Sequence, residues 1–253
     1  MKISVITVCK NSSLHIAHSI KSVLEQTYSD YQYIIIDGNS KDSTLEIVKK
    51  YRARIDILLS EDDTGIYNAM NKALGFANGD VVYFLNSDDF LYDKNVFAEI
   101  AEDFKKNNQT MILYGNVVMN LDGKDEIIRY DKISRGYFYK HTICHQALFI
   151  KKKLFNIIGG YNEKYPVHAD TDWLMKAYFK QKAKFKYIDR IICYYSTNGF
   201  SGNKINAEKY KFDRQIISAK YFLEAKYKLI IKEILGKFGY KKYSNISNIG
   251  ARK

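Results

Sequence analysis

Val81-Val82-Tyr83-Phe84-Leu85-Asn86-Ser87-Asp88-Asp89 is a run of five apolar residues that breaks straight into four polar ones. A short, unbroken apolar run with turn residues on both flanks reads as a strand buried on both faces. Upstream, Asn78-Gly79 closes a helical pattern over Tyr67–Ala77, and Ile55–Leu59 is another apolar strand. Before that comes a helix over Ser43–Tyr51, with Asp42 or Ser43 as cap, and a strand, Tyr33–Ile36, that ends in Asp37-Gly38-Asn39-Ser40. Ser12–Gln26 carries Ile16, Ile20, Val23 and Leu24 on one helical face, and Ile3–Val8 is the first strand. Strand and helix alternate throughout this half. The expected fold is therefore α/β, with a mostly parallel sheet and helices on both faces.

The second half is less regular. Asn95–Lys106 reads as a helix, while Met111–Val118 and Ile127–Tyr130 read as antiparallel additions. A short strand over Ala147–Ile150, a helix over Thr171–Lys180 and a late strand over Ile191–Tyr195 follow. Beyond Asn206 the pattern is helical nearly to Lys242. There is no repeat and no Pro-rich linker, and Pro166 is the only proline. We divide the chain into a domain over 1–206 and a basic amphipathic tail over 207–253.

The bulk properties fit that plan. The 253 residues, 46% of them apolar, suffice for one large α/β domain. Its 22 tyrosines suit partners with apolar and hydroxylated faces, though base composition of the gene explains them equally. The net charge of +12 is concentrated at one end: Ser218–Lys253 holds nine Lys and Arg against two Glu. Cys9, Cys144 and Cys193 lack metal-type spacing and sit in apolar runs, which indicates buried free thiols in a reducing compartment. The opening MKISVITVCKNS lacks the length and cleavage site of a signal peptide. No run of about 18 apolar residues exists. A cytoplasmic protein, peripheral on the inner face of the membrane through its tail, is expected.

In parallel α/β sheets, ligands bind beyond the carboxyl ends of the strands. Here those ends carry Cys9-Lys10-Asn11, Asp37-Gly38-Asn39-Ser40 and Asn86-Ser87-Asp88-Asp89, and the third strand runs into Ser60-Glu61-Asp62-Asp63. Asp88 and Asp89 are the sharpest pair. Adjacent carboxylates repel unless a cation sits beside them. Hard oxygen ligands suit Mg2+ or Mn2+ bridging to a diphosphate. A helix cap is the competing reading of the same pair.

The segments Ile3–Asn11, Ile35–Thr44, Asp63–Lys72, Ala77–Asp80 and Phe84–Asp89 resemble the family 2 glycosyltransferases of GT-A fold. The resemblance covers about the first 90 residues closely. It resumes at His145–Phe149, Gly159–Asn162 and Ala169–Trp173, with all pieces in family order. It implies an inverting transfer of a hexosyl or N-acetylhexosaminyl unit from a nucleotide-sugar. Residues 1–90 would bind the donor and 91–206 the acceptor. Thr7 and Cys9 would line the base pocket, Asp37 would accept a hydrogen bond from uracil, and Asn39, Lys72, Asn86 and Ser87 would face the donor. Asp88 would hold the metal, joined by Asp89, because Asn86 stands where the family's first metal-binding aspartate is usual. Asp170 would be the catalytic base, with Asp172 a competitor. On the residues themselves, Trp173, Asp172 and His145 are candidates to meet the acceptor, a glycan or lipid-linked glycan, although a helix-face aromatic such as Trp173 is more often core and His145 reads equally as a phosphate contact or a structural histidine.

Other readings stay open on the residues alone. His141, Cys144 and His145 could suggest zinc, but no fourth ligand is evident. A nucleotidyltransferase would also use a nucleotide-binding sheet and carboxylates, yet Cys9–Ser13 lacks its glycines. A catalytically inactive sugar-binding relative is a third possibility. The positive residues do not interleave with a nucleic-acid motif, so no nucleic-acid partner is expected. The stripe Leu223, Tyr227, Ile230, Ile231, Ile234, Leu235, Phe238 suits an anionic bilayer surface, or equally a helix packed on the domain or on a dimer partner.

Overall fold

A computed structural model describes residues 1–121, 124–131, 133–196, 210 and 213–223. The first half runs β1 (Ile3–Cys9), α1 (Ile16–Leu24), β2 (Tyr31–Asp37), α2 (Thr44–Lys49), β3 (Ile57–Ser60), α3 (Ile66–Phe76) and β4 (Val81–Phe84). Seven of seven residues in β1, six of seven in β2 and all four in β4 are buried. Strands covered on both faces carry mostly apolar side chains and do not alternate, and the few polar ones buried in them, Ser4, Thr7, Gln32 and Asp37, are hydrogen-bonded. The helices bury one stripe each: Ile16, Ile20 and Val23 in α1, and Ala69, Met70 and Ala73 in α3.

The second half runs β5 (Phe90–Leu91), α4 (Val96–Lys106), β6 (Ile112–Leu121), β7 (Lys124–Ile128), α5 (Arg135–Lys140), a 3-10 turn over His145–Ala147, β8 (Leu148–Lys151) and α6 (Lys152–Ile158). Then come α7 (Ala169–Met175), a π turn over Lys176–Lys180, β9 (Phe185–Tyr195) and a helix, α8, over residues 213–223. The sheet order is β3-β2-β1-β4-β8-β6-β9-β5, with β7 on β6. The run β3-β2-β1-β4 is parallel throughout. The antiparallel strand β8 joins it to the second half, pairing with both β4 and β6. The rings of Tyr83 and Phe149 stack across that junction at 4.2 Å, so one core is continuous through both halves.

Register fixes what the carboxyl edge presents. Cys9 lies beside Asp37, and Ile6 beside Phe84, so the segment after β4 emerges level with the end of β1. The short elements α5, α6 and β5 were not anticipated, because two turns or two residues show no usable period. β9 begins six residues before the expected start. Its first half mixes Lys186, Asp189 and Arg190 into the pattern, and these are held by ion pairs with Asp103, Arg129 and Asp93.

The three cysteines are free, with Cys9 and Cys193 buried and Cys144 half-buried. Of the expected tail, α8 packs on the domain: Ile217 and Tyr221 are buried, and Phe179 stacks on Tyr221. The rest of the expected helix, to Lys242, and the division at residue 206 lie outside the described residues. Among the described residues no helix is long and apolar enough to cross a membrane.

Candidate active site

A cleft of about 1000 Å³ opens at the carboxyl edge of the parallel strands. Its walls come from the end of β1 (Cys9, Lys10, Asn11, Ser12), the start of α3 (Gly65–Ala69), the segment Asn86–Asp89, the 3-10 turn with His145, and the start of α7. This is where ligands bind in open α/β sheets. The N-terminus of α3 faces it with Gly65 at φ 141 as cap and no side chain on its free N–H groups.

One group of the expected donor residues lies beneath the cleft rather than in its wall. Asp37 is fully buried and accepts from Ser60 Oγ at 2.7 Å, from the Ser40 N–H at 3.1 Å and from the Ser40 hydroxyl. The Cys9 thiol lies 3.7 Å from it, and burial together with the Asp37 charge pushes that thiol far up, so it stays protonated. Thr7 is fully buried, with its hydroxyl 3.2 Å from that of Tyr33; it does not line the cleft, because its side chain points into the sheet packing. Asn39 adopts φ 58 and donates to Asp62 at 3.0 Å. Lys72 is committed to Glu61 and to the Asp62 carbonyl, both at 2.7 Å. Asn39 and Lys72 therefore brace the loop after β3 and do not reach the cleft. A side chain at Gly38 would displace the Asp63 carboxylate, which packs against this turn.

Asn86, Ser87, Asp88 and Asp89 all line the cleft, but the two aspartates differ. Asp88 is half-buried and makes no hydrogen bond or ion pair among the described residues. Asp89 is 1% exposed and uses both oxygens, accepting from Gln146 Nε2 at 2.6 Å and the Ser196 N–H at 2.8 Å. Burial, reinforced by the Asp88 charge, holds the Asp89 carboxyl well above the ordinary range. Of the expected metal pair, then, only Asp88 presents free oxygens. Among the described residues no group of three His, Cys, Asp or Glu is placed to hold a metal ion by itself. Ser87 shares a 2.8 Å contact with Ser12, tying this segment to the one after β1.

Asp170 stands in the first turn of α7, behind His168 at φ 73. Its Oδ1 accepts from the Tyr67 hydroxyl at 3.0 Å and the Thr171 N–H at 2.8 Å, and its Oδ2 lies 3.1 Å from His145 Nδ1. Burial opposes ionisation here. The His145 hydrogen bond and charge, with the bonds from Tyr67 and Thr171, outweigh it and hold the carboxyl below its ordinary value. Tyr67 was not anticipated as a partner, since nothing in one sequence links positions 67 and 170.

Two expected acceptor residues are corrected. Asp172 is 6% exposed and turned away from the cleft, accepting from Lys220 Nζ at 3.0 Å and the Tyr221 hydroxyl at 2.9 Å. Trp173 is 2% exposed, donates its indole N–H to the Gly159 carbonyl at 2.8 Å and stacks on Phe155 at 4.4 Å. Both belong to the packed side of α7: Asp172 lies about 200° round the helix from Asp170, and the Trp173 ring is buried against Phe155. His145 does reach the cleft, yet both ring nitrogens are engaged, with Nε2 3.3 Å from Asn86 Oδ1. That engagement also removes it from any zinc cluster with Cys144.

Residues 4–162 match the model of the family Glycosyl transferase family 2. The PGL/p-HBAD biosynthesis glycosyltransferase of Mycobacterium bovis (strain BCG / Pasteur 1173P2) is 30% identical over 205 residues, which is 80% of this chain and 79% of that protein. S. aureus TarS 1-349, solved in complex with UDP, is 21% identical, with a TM-score of 0.71 over 88% of this chain and 66% of that one. The mannosyltransferase PcManGT from Pyrobaculum calidifontis, solved with GDP-Man and Mn2+, is 17% identical, with a TM-score of 0.67 over 84% and 62%. The chain spans about two thirds of these solved chains, and at such identities they speak for the fold alone.

Proposed function

The chain belongs to glycosyl transferase family 2, and on that premise we propose that it moves a sugar from a UDP-sugar to a hydroxyl of a glycan or lipid-linked glycan, inverting the anomeric centre. The observation that supports this best is that one cleft holds both Asp88, with free oxygens, and Asp170, kept ionised. A departing diphosphate needs neutralising, and an attacking hydroxyl needs a base. The two groups answer those needs separately.

In this reading Asp88, with Asn86 beside it, holds Mn2+ or Mg2+. Such ions take one or two carboxylates and complete their shell with phosphate oxygens and water, so a single free carboxylate fits. The ion supplies Lewis-acid stabilisation to the diphosphate leaving group. Asp89 acts from behind, locking the segment to Gln146 and Ser196. Cys9 and Ser87 border the nucleoside end, and Asp37 keeps the Gly38–Ser40 turn in shape for the base. Asp170 accepts the acceptor's proton while that oxygen bonds to the anomeric carbon and the diphosphate leaves from the opposite face. A uridine donor is supported by the UDP bound in the TarS complex.

The acceptor enters beside α7. The charge excess after Ser218 supports contact of the tail with an anionic membrane surface, on the cytoplasmic side, where a lipid-linked acceptor would be met. A panel of nucleotide-sugars with Mn2+, Mg2+ or EDTA, read as nucleotide release, tests the core of the proposal. UDP release in metal and none in EDTA is expected. Release only from GDP- or dTDP-sugars, or full turnover in EDTA, overturns it.

A further inference from the structure

Among the described residues, Arg214 in the first turn of α8 makes no ion pair, and its Nε and Nη2 find no acceptor although both atoms are sealed from water. Those two nitrogens carry the parallel N–H groups on one side of the guanidinium, the edge that takes a two-oxygen anion side-on. Buried donors are nearly always satisfied, and a charged one left bare is costly. Burial pulls Arg214 below its ordinary pKa, and the group that opposes this is Tyr137. Burial pushes the Tyr137 hydroxyl itself up to about 12, so it is neutral at pH 7 and supplies no counter-charge. That hydroxyl donates to the Thr142 carbonyl at 3.1 Å. The neighbours of Arg214 place it beside the cleft. The Asp213 N–H donates to the Tyr210 carbonyl at 3.0 Å, and Tyr210 and Thr142 both line the cleft. His168 lines it too; burial lowers its pKa, Asp170 raises it and the Arg214 charge lowers it again. All of these neighbours come from the second half of the chain, where the proposed function puts the acceptor.

We propose that the Nε–Nη2 edge of Arg214 recognises a phosphate group carried by the acceptor, one phosphate oxygen to each N–H, at the end of the cleft bounded by Tyr137, His168 and Tyr210. This rests on the reading of the second half as the acceptor side. Phosphate is favoured over carboxylate by the charge that follows. From Glu224 the chain holds eight Lys and Arg against two Glu, a segment that draws phosphate-rich partners. A lipid-linked acceptor carries such a group, and so does a phosphorylated glycan; the edge reads the phosphate and not what it is attached to. Water does not reach the edge, so the ligand parts the side chains over it on entry. The chain without ligand holds a bare buried guanidinium, and the ligand relieves that cost.

The full chain, with Mg2+ and UDP present to fill the donor site, is titrated with inorganic phosphate, with glucuronate, and with phosphatidylcholine vesicles with and without a long-chain alkyl phosphate. The Arg214 ¹⁵Nε–¹H signal, assigned by its loss in Arg214→Gln, should shift and saturate with phosphate, and phosphate should raise the melting temperature. Arg214→Gln should weaken that binding about ten- to a hundredfold, the range for hydrogen bonds to a charged group. Arg214→Lys keeps the charge without the fork and should recover only part of the loss. Arg214→Met should melt no lower than wild type without phosphate and gain nothing from it. Lys49→Gln, which removes an exposed charge on α2, should bind phosphate as wild type does. Tighter binding to alkyl phosphate vesicles than to free phosphate, with the gain lost in Arg214→Gln, supports the proposal and identifies a lipid source. Equal affinity for the two supports it and indicates a phosphorylated glycan. Glucuronate bound in place of phosphate overturns the phosphate assignment. Phosphate binding indifferent to Arg214→Gln, or an Arg214→Met chain that melts well below wild type, overturns the site. A chain that releases UDP but binds phosphate without Arg214 loses only this proposal. One that binds phosphate at Arg214 but never turns over loses only the proposed function.

Discussion

Asp170 and Asp172 sit two residues apart on α7 and answer to opposite sides of the molecule: Asp170 accepts from Tyr67 across the cleft, and Asp172 accepts from Tyr221 of α8 behind it. Two positions on a helix are about 200° apart, so no rotation brings both into the cleft. Asp170→Asn is therefore expected to cut turnover by ~10²–10⁴, the range for loss of a general base, with UDP affinity nearly unchanged. Asp172→Asn should spare turnover on the remaining folded enzyme and lower stability by ~1–3 kcal/mol, because it weakens a buried set of bonds to Lys220 and Tyr221. Paired turnover and thermal-melt measurements decide this. An inactive Asp172→Asn beside an active Asp170→Asn would reverse the assignment.

The pH dependence follows from the same carboxyl. Asp170 titrates below its ordinary value in the folded chain. A depressed carboxylate adds stability that is present above the unfolded value, about 3.9, and is lost as pH falls through the folded one. The melting difference between wild type and Asp170→Asn should thus be constant through neutrality and close only on the acid side of about pH 4. Turnover should likewise show no acid limb from this group at pH 5–8. An acid limb centred near pH 6.5 that vanishes in Asp170→Asn would contradict the depressed value.

Asp88 and Asp89 are adjacent but should not behave alike. Asp88→Asn removes the free carboxylate and is expected to abolish metal-dependent turnover while the melting temperature stays within a few degrees. Asp89→Ala strips Gln146 Nε2 and the Ser196 N–H of their acceptor and should lower stability by ~1–3 kcal/mol. Equal loss of metal response with unchanged stability in both variants would show that Asp89 is a ligand on the same footing as Asp88.

Much of the donor half was legible because its strands are buried on both faces. Ile3–Val8, Tyr33–Ile36 and Val81–Leu85 read as unbroken apolar runs, and the polar residues after them mark the cleft edge. What the sequence hides is depth. Asp37 and Asp88 each follow a buried strand, yet the first lies under the turn with Ser40 and Ser60 while the second opens outward. Partners far apart in the chain are equally hidden. Tyr67 meets Asp170 across 103 residues, and Asp89 meets Ser196 across 107. No periodicity encodes those distances. Trp173 was ambiguous for a related reason: the stack on Phe155 depends on α6, whose two turns left no readable period.

The tail combines two roles that a single cut can separate. Residues 213–223 belong to the fold, since Ile217 and Tyr221 are buried and Tyr221 and Lys220 hold Asp172. The residues from Glu224 onward carry eight Lys and Arg against two Glu. Each such charge near an anionic bilayer is worth about 1 kcal/mol. A chain ending at Leu223 should keep its melting temperature within a few degrees and still release UDP from the donor, yet lose flotation with anionic liposomes. A chain ending at Ser218 removes Lys220 and Tyr221 as well, and should lose stability and turnover together. Salt should release the full chain from liposomes, because exposed charges are screened over about 10 Å at 0.1 M. If the chain ending at Leu223 floats as well as the full one, the membrane role of the tail is wrong. If it unfolds, the apolar stripe beyond Leu223 is core, and the +6 it carries is a solvated face.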